Sequence, residues 1–311
     1  MLLDLNDDEL QTLMELLKYF LLGMNVLLFL TAALVFFSSS PSASSLDAAS
    51  STPVRSKRAL LVTAHPDDES MFFLPLLHSL QPQQPDANAA TWETHLLCLS
   101  RGNFDGLGAI REKELLNCVE FLGLSSTNVQ VLEDPKLQDG MQTQWDVAHV
   151  ASVVLAYMDK HAIDAVFTFD DYGVSGHANH IATHFGVKRA LKQQQERCNV
   201  APDAGTKAAS PVRGWALEST GLLRKYVGVL DTALSFWQSG GRNEGQSDRQ
   251  FVFLGRPLWN YRAMALHRSQ FVWYRRLFVV FSRYTFINTF RPLLPSVSAN
   301  AELSMDQKKE Q

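Results

Sequence analysis

The stretch ALLVTAHPDDE, residues 59–69, decides the fold class. Its first half is an unbroken apolar run, which is typical of a strand covered on both faces. Its second half places one histidine and three acidic residues within the five positions HPDDE, where that strand is expected to end. Strands covered on both faces belong to parallel sheets, which bind ligands at the carboxyl ends of their strands. The stretch therefore predicts an α/β fold with a charged cleft at one sheet edge.

Apolar runs and helical patterns alternate on the C-terminal side of this stretch. Further strands are predicted at 95–100, 129–133 and 165–170, and helices at 71–80, 109–122, 145–161 and 177–192. Residues 193–213 and 240–249 are predicted to be loops. Because strands and helices alternate, we predict a Rossmann-like, mostly parallel sheet with helices on both faces.

On the N-terminal side lies YFLLGMNVLLFLTAALVFF, residues 19–37, which carries no charge. A helix of this length spans roughly 28 Å, close to the thickness of the hydrocarbon core of a bilayer. A signal peptide is the alternative, but the preceding residues are acidic, whereas a signal peptide begins with a basic region. We therefore predict a single transmembrane helix. Lys18 precedes it and Arg55, Lys57 and Arg58 follow it, which favours a cytosolic C-terminal side.

The predicted organisation is a short tail at 1–18, the transmembrane helix at 19–37, a flexible linker at 38–57, one folded domain at 58–295 and a polar tail at 296–311. The linker is rich in Ser, Ala and Pro and is too polar to pack. The net charge of −4 argues against a nucleic-acid partner, which would need a concentrated excess of Lys and Arg. Three widely spaced cysteines indicate neither a disulfide framework nor a thiolate zinc site.

A second polar motif, GHANH at 176–180, follows the fourth predicted strand as HPDDE follows the first. Both motifs should therefore fall at the same edge of the sheet. His65 and Asp68 are three residues apart, as are His177 and His180, so each pair can lie on one side of a helical turn. Crowded carboxylates need a cation, and imidazole with carboxylate suits zinc, or iron, manganese or cobalt.

A metal site of this kind is typical of hydrolysis. Three protein ligands and an open position let a metal activate water and polarise an amide carbonyl. A carboxylate must take the water proton, and an acid must protonate the departing amine. Either pair alone would be an ordinary solvated turn or a satisfied histidine, and the remaining histidines are expected to be non-catalytic: His78, His95, His149, His161 and His184.

These motifs resemble those of the LmbE-like de-N-acetylase superfamily, with AHPDDE at 64–69, HxxH at 177–180 and a similar intervening segment at 101–124. Residues 62–73, 168–182 and 267–288 are similar to the eukaryotic PIG-L branch, which deacetylates N-acetylglucosaminyl-phosphatidylinositol in the second step of glycosylphosphatidylinositol-anchor biosynthesis. The resemblance implies a hydrolase with that glycolipid substrate. It also implies a divalent metal, with zinc as the first choice, and a place in the endoplasmic reticulum membrane with the catalytic domain in the cytosol.

The resemblance further implies a role for each site residue. The implied roles are metal ligand for His65, Asp68 and His180, general base for Asp67, and oxyanion stabiliser or acid for His177. Arg111 would contact the sugar or its phosphate, or else pair with Glu112 or Glu114 on a helix surface.

The second motif departs from the common HPDH form at positions 178 and 179. In soluble relatives the Asp of that form is expected to orient the adjacent histidine. Asn179 can orient an imidazole, but it stabilises the charged imidazole less well than an aspartate does. The departure affects the acid role of His177 and leaves the predicted metal site unchanged.

Residues 267–291 interleave aromatic and basic side chains. Arg275, Arg276 and Arg283 interrupt this stretch, so it is not a spanning segment. It fits a helix lying at an anionic membrane interface, and an ordinary core helix is the alternative. Two other functions stay open on sequence grounds, namely a deacetylase of a soluble N-acetylglucosaminide and a non-catalytic membrane scaffold.

Overall fold

The computed structural model describes residues 56–81, 92–200, 211–232, 235, 249–252 and 257–294, with six isolated positions between 12 and 23. Nearly all of the predicted membrane helix at 19–37, most of the linker at 38–57 and the tail at 296–311 lie outside the described residues. Among the residues that are described, no helix combines the length and the apolar character needed to cross a membrane.

A mixed sheet forms the centre of the described domain. Its strands are β1 (Lys57–Thr63), β2 (Trp92–Cys98), β3 (Val129–Val131), β4 (Ala165–Phe169), β5 (Arg213–Leu217), β6 (Arg249–Val252) and β7 (Ile287–Pro292). The spatial order is β3-β2-β1-β4-β5-β7-β6. The first five strands are parallel, while β7 runs antiparallel to both of its neighbours. The prediction of a mostly parallel sheet is confirmed.

Helices flank this sheet. They are α1 (Asp68–Phe72), α2 (Leu74–Leu80), α3 (Gly108–Phe121), α4 (Val147–His161), α5 (Gly173–Gly176), α6 (Ala178–Val200), α7 (Leu222–Lys225), α8 (Pro257–Leu266) and α9 (Trp273–Phe281). Short 3-10 turns cover Ser126–Asn128, Gly228–Leu230 and Arg283–Thr285. The α4 and α6 helices pack against each other, as do α3 and α8.

Two sequence predictions differ from the structure at helix ends. The helix predicted at 71–80 is broken at Phe73. Pro75 explains the break, because its ring would clash with the carbonyl four residues earlier in a continuous helix. The prediction of a loop at 193–213 is wrong for residues 193–200, because α6 continues to residue 200. Residues 193–200 lack a clear apolar period, but Gln, Glu and Arg are good helix formers.

The core lies around the central strands β1 and β4. Leu60, Leu61, Val62, Val166 and Phe167 are each at most 1% exposed. Since both faces of these strands are covered, their side chains show no alternation between apolar and polar positions. The two strands are neighbours, so the chain segments that follow them start from adjacent points at one sheet edge.

Candidate active site

The two polar motifs meet at the carboxyl edge of β1 and β4. These strands are parallel, with Leu61 opposite Phe167, so the segments that follow them lie side by side. The ring centroid of His65 is 4.9 Å from that of His177 and 5.5 Å from that of His180. The structure therefore brings together the two motifs that the sequence predicts to share an edge.

A sharp turn between β1 and α1 presents the HPDDE side chains. Asp67, which precedes α1, has a left-handed backbone with φ 109°, a conformation that is uncommon for residues other than glycine. Asp68 uses Oδ2 to accept hydrogen bonds from the backbone N–H groups of Ala64 and His65, at 3.0 and 2.8 Å. Its Oδ1 is left facing His180 Nε2, 3.3 Å away. The turn thus fixes which oxygen of Asp68 points into the site.

Glu69 supports this turn from behind. Its Oε2 accepts a hydrogen bond from the Asp67 N–H at 3.1 Å, and its Oε1 lies 2.6 Å from His267 Nε2. Both side chains are fully buried. Burial opposes a charge on His267, but the carboxylates of Glu69, Asp67 and Glu114 together raise the His267 pKa. The pair ties α1 to the segment after α8.

Glu69 and His267 also form a group with Cys118 that has metal-like spacing. Burial raises the pKa of the Cys118 thiol well above its usual value. Both carboxylate oxygens of Glu69 are already engaged, by the Asp67 N–H and by His267 Nε2. We interpret the group as a structural cluster.

His180 is oriented by contacts on both sides of its ring. Its Nδ1 lies 3.0 Å from the Gly173 carbonyl and donates to it, which leaves Nε2 free. The ring stacks on Phe169 with centroids 4.1 Å apart. Gly173 has φ +63°, and a Cβ there would lie 2.6 Å from the Cβ of His180. Only glycine fits this position without displacing His180.

The donor set of the site fits a divalent metal. His65, Asp68 and His180 are all buried, and each offers one ligand atom within 4.8 Å of the other two. Two imidazole nitrogens and one carboxylate oxygen are a set that zinc accepts with one position left open. In Asp68 and His180, the second polar atom of each is already bonded to backbone, which fixes the atom that remains. These three residues could therefore hold a metal.

Asp139 is a member of the site that sequence reasoning missed. It lies in the loop between β3 and α4, with Oδ1 3.1 Å from His65 Nε2 and Oδ2 3.2 Å from Arg111 Nη1. Burial opposes its ionisation, but the His65 hydrogen bond and the nearby positive charges lower its pKa. With His65 and His177 it forms a second group that could hold a metal.

The carboxylate of Asp67 is buried between two arginines. Its Oδ1 lies 3.4 Å from Arg111 Nη2, and its Oδ2 lies 2.5 Å from Arg275 Nη1. Burial raises the pKa of Asp67, although the charges of Arg275 and Arg111 act against that rise. A raised pKa suits a group that must take up a proton near neutral pH. Arg275 comes from α9 and was not predicted as a site residue.

Arg111 lies inside the site and not on the surface of α3. Its guanidinium donates to the carbonyls of Pro66 and Gly102, at 2.8 and 2.9 Å. Gly102 has φ +70°, and a Cβ there would lie 2.5 Å from this guanidinium. The alternative pairing is wrong, because Glu112 binds Arg101 and Glu114 accepts from Ser269. Contact of Arg111 with substrate remains a prediction.

His177 and Asn179 contact different partners from those expected. The backbone N–H of Asn179 donates to His177 Nδ1 at 3.2 Å, while the Asn179 side chain lies 3.0 Å from His65 Nε2. Asn179 also donates to the Thr143 carbonyl at 2.7 Å. The Asn179 side chain therefore orients His65 and not His177. Burial, with the charges of His180 and His65, lowers the pKa of His177 to about 4.

Comparison with known proteins accounts for this arrangement. Residues 60–191 match the family described as PIG-L: GlcNAc-PI de-N-acetylase. A Schizosaccharomyces pombe protein named as a probable N-acetylglucosaminyl-phosphatidylinositol de-N-acetylase is 37% identical over 235 residues, covering 75% of this chain and 85% of that protein. The chain belongs to the PIG-L family. A Bos taurus member, named N-acetylglucosaminyl-phosphatidylinositol de-N-acetylase, is 37% identical over 240 residues, covering 76% of this chain and 84% of that protein.

One solved structure shares the PIG-L family fold seen here. It is an N,N'-diacetylchitobiose deacetylase from Pyrococcus horikoshii, with a TM-score of 0.51 and 18% identity, over 77% of this chain and 84% of that one. At this identity the likeness concerns the fold alone.

The PIG-L match contains the three candidate metal ligands, but two site contacts come from beyond it. Arg275 and His267 lie on the C-terminal side of residue 191, in the stretch predicted to be a membrane-interface helix. In the structure, this stretch has an exposed part and a buried part. Most of the α9 side chains are exposed, whereas Arg283 and Tyr284 are fully buried and β7 belongs to the sheet.

Proposed function

We propose that this chain is a metal-dependent hydrolase that removes the acetyl group from N-acetylglucosaminyl-phosphatidylinositol, giving glucosaminyl-phosphatidylinositol and acetate. The observation that carries the proposal is the convergence of His65, Asp68 and His180 beside the buried carboxylate of Asp67. Family relatives at 37% identity bear the name of this reaction, which supports the choice of substrate.

His65, Asp68 and His180 would hold the metal, and zinc is the ion we propose from the donor set. When bound, it supplies Lewis acidity, which acidifies a water molecule and polarises the acetamide carbonyl. Asp67 takes one proton from the attacking water as the new C–O bond forms. The same proton then passes from Asp67 to the sugar nitrogen as the C–N bond breaks, which gives the neutral amine and acetic acid. The acid then gives up its proton, so that acetate and the protonated amine are the final products.

His177 acts on the other side of the carbonyl. Its lowered pKa of about 4 makes the ring neutral near pH 7. Because Nδ1 accepts the Asn179 N–H, the proton of the neutral ring resides on Nε2. His177 can therefore donate one hydrogen bond to the oxyanion that develops on the carbonyl oxygen. This tautomer supports oxyanion stabilisation over delivery of a proton to the amine.

We propose that the enzyme is a single-pass protein of the endoplasmic reticulum membrane with its catalytic domain in the cytosol. The uncharged stretch at 19–37 and the basic residues that follow it support this location. Arg111 is proposed to contact the sugar or its phosphate, since its guanidinium borders both Asp67 and Asp139.

The test is acetate release from N-acetylglucosaminyl-phosphatidylinositol in detergent micelles, with and without a chelator, followed by addition of zinc. We expect release that the chelator abolishes and zinc restores. Equal activity on a water-soluble N-acetylglucosaminyl-inositol would favour the soluble-substrate alternative. A chain that binds no metal and releases no acetate would be the non-catalytic scaffold.

A further inference from the structure

Exposed apolar side chains cluster on α9 and on α7, and we call this cluster the apolar rim. On α9, Trp273, Leu277 and Phe281 are 72%, 49% and 53% exposed. On α7, Leu222 and Leu223 are 73% and 87% exposed. Large apolar side chains that are exposed together, and not scattered singly, mark a surface that contacts something apolar.

The two helices that carry the rim are in contact. The ring of Tyr226, which follows α7, lies 6.1 Å from the ring of Phe278 on α9. Residues 273, 277 and 281 are spaced four apart and share one face of α9. Phe278 and Val279 are buried on the opposite face. The helix therefore presents an apolar face outward as well as inward.

The charge of the surrounding chain is unusual for this protein. The whole chain has a net charge of −4, yet residues 219–230 and 257–294 contain no aspartate or glutamate. They contain eight basic residues, and three of these are exposed and have no carboxylate partner among the described residues: Arg262, Arg268 and Arg276. The other five are buried or paired: Arg224, Lys225, Arg275, Arg283 and Arg291. The flanking carboxylates are engaged, since Glu218 pairs with Arg291 and Asp231 with Arg224 and Arg283. The three exposed arginines leave this surface with an excess of positive charge, which suits an anionic partner.

The helix α9, which carries part of the rim, borders the catalytic cleft through its inner face. Arg275, on α9, reaches the Asp67 carboxylate at 2.5 Å. Phe278 packs edge-on to Phe72 with ring centroids 5.7 Å apart, and Phe72 lies 6.0 Å from His180 in the same way. One aromatic ring therefore separates α9 from a candidate metal ligand. The rim and the cleft therefore lie on opposite faces of the same helix.

We propose that the apolar rim docks into the headgroup layer of an anionic lipid bilayer, which places the catalytic cleft, on the inner face of α9, beside that layer. The proposal rests on the proposed glycolipid substrate. A short helix with outward aromatic and aliphatic side chains, flanked by arginines and free of carboxylates, is suited to the interface in both its apolar and its charged parts. The acetylated sugar then reaches Asp67 while the lipid chains stay in the bilayer.

The test measures depth at single positions, because the predicted membrane helix would carry the whole chain to vesicles in any case. The full chain with Cys198→Ser is placed in phosphatidylcholine vesicles that contain phosphatidylinositol. A nitroxide label is attached at Leu223→Cys or Leu277→Cys, and at Lys160→Cys as the control. Lys160 is exposed at the end of α4 that leads into β4, on the opposite edge of the sheet.

We expect labels at 223 and 277 to be relaxed more by oxygen than by a water-soluble nickel chelate, with the reverse at 160. Labels at 223 and 277 that behave like the one at 160 would overturn the proposal. So would labels shielded from both reagents, because protein would then cover the rim, either residues 19–37 of this chain or a second copy.

A turnover measurement separates this proposal from the proposed function. Trp273→Gln with Leu277→Gln should slow deacetylation of vesicle-borne N-acetylglucosaminyl-phosphatidylinositol at least tenfold and leave a water-soluble N-acetylglucosaminyl-inositol phosphate unaffected. An equal loss on both substrates, or no loss on the vesicles, would contradict docking. If the parent chain deacetylates neither substrate, the proposed function fails, while the label depths still decide whether the rim meets lipid.

Discussion

The environment of Asp67 indicates that it acts as the general base. Its carboxylate is buried, lies between Arg111 and Arg275, and has a raised pKa. We expect Asp67→Asn to keep its metal content and to lose about 10²- to 10⁴-fold in acetate release, because the amide cannot accept the water proton. Metal content by mass spectrometry and acetate assays on the same sample check this.

His180→Ala is the control for that substitution. It should lose both the metal and the activity, because His180 supplies one of the three candidate ligands. An Asp67→Asn protein that turns over at close to the parental rate would rule out Asp67 as the base. A His180→Ala protein with full metal content would rule out the ligand assignment.

Substitution of Gly173 should weaken metal binding, and Gly176 provides a matched control. Gly173 and Gly176 both have positive φ, but a Cβ at Gly173 would lie 2.6 Å from His180 Cβ, while at Gly176 nothing lies closer than 3.9 Å. Gly173→Ala should weaken zinc binding about 10- to 100-fold, the usual effect of disturbing a contact that orients a ligand. Gly176→Ala should carry only the backbone strain. Competition with a coloured chelator measures both, and equal affinities would contradict the prediction.

Among the secondary-structure elements, the buried Glu69–His267 pair joins α1 to the segment after α8. His267→Phe leaves the Glu69 carboxylate buried without its partner, so we expect it to lower the free energy of unfolding by about 3–5 kcal/mol. Replacing both with leucine should be less damaging, because no buried charge remains. Urea denaturation followed by circular dichroism measures this. A double variant less stable than His267→Phe would show that packing, and not charge, dominates.

Of the secondary-structure elements, the sequence predicts the central strands but not the strands at one side of the sheet. The strands β1 and β4 are apolar throughout, so their positions and the motifs at their ends could be predicted. The short β5 and the polar β7, INTFRP, do not have that signature. Asp139 and Arg275 reach the site through a loop and a distant helix, and nothing in their local sequence marks them. Tertiary packing brings Asp139 and Arg275 into the site, and local sequence patterns do not predict such long-range contacts.

Whole-molecule stability should depend on pH through buried histidines. Burial lowers the pKa of His184, whose Nδ1 is bonded to the Phe169 carbonyl. The unfolded chain therefore binds more protons below about pH 6.5, and the contribution of His184 to stability is lost as the pH falls from there. His267, with its raised pKa, acts in the opposite direction. Comparing the parent protein with a His184 variant separates the contribution of His184 from that of His267.

We expect His184→Gln, which can still donate to that carbonyl, to differ less from the parent in free energy of unfolding at pH 5.5 than at pH 7.5. Both proteins are measured by urea denaturation with a chelator present, so that metal binding does not contribute. A stability difference that is constant or grows on acidification would contradict the sign of the His184 shift.

The position of β7 between β5 and β6 has a consequence for biosynthesis. The strand is formed by residues 287–292, yet it fills an internal place in the sheet. During translation the five parallel strands, β1 to β5, can assemble early. The open edge of β5 stays uncovered until residues 287–292 have emerged and formed β7. An early stop codon before residue 287 would leave that edge exposed even though every candidate metal ligand had been made. Such truncated products should aggregate or be degraded, so premature termination far downstream of the catalytic motifs would still abolish the enzyme.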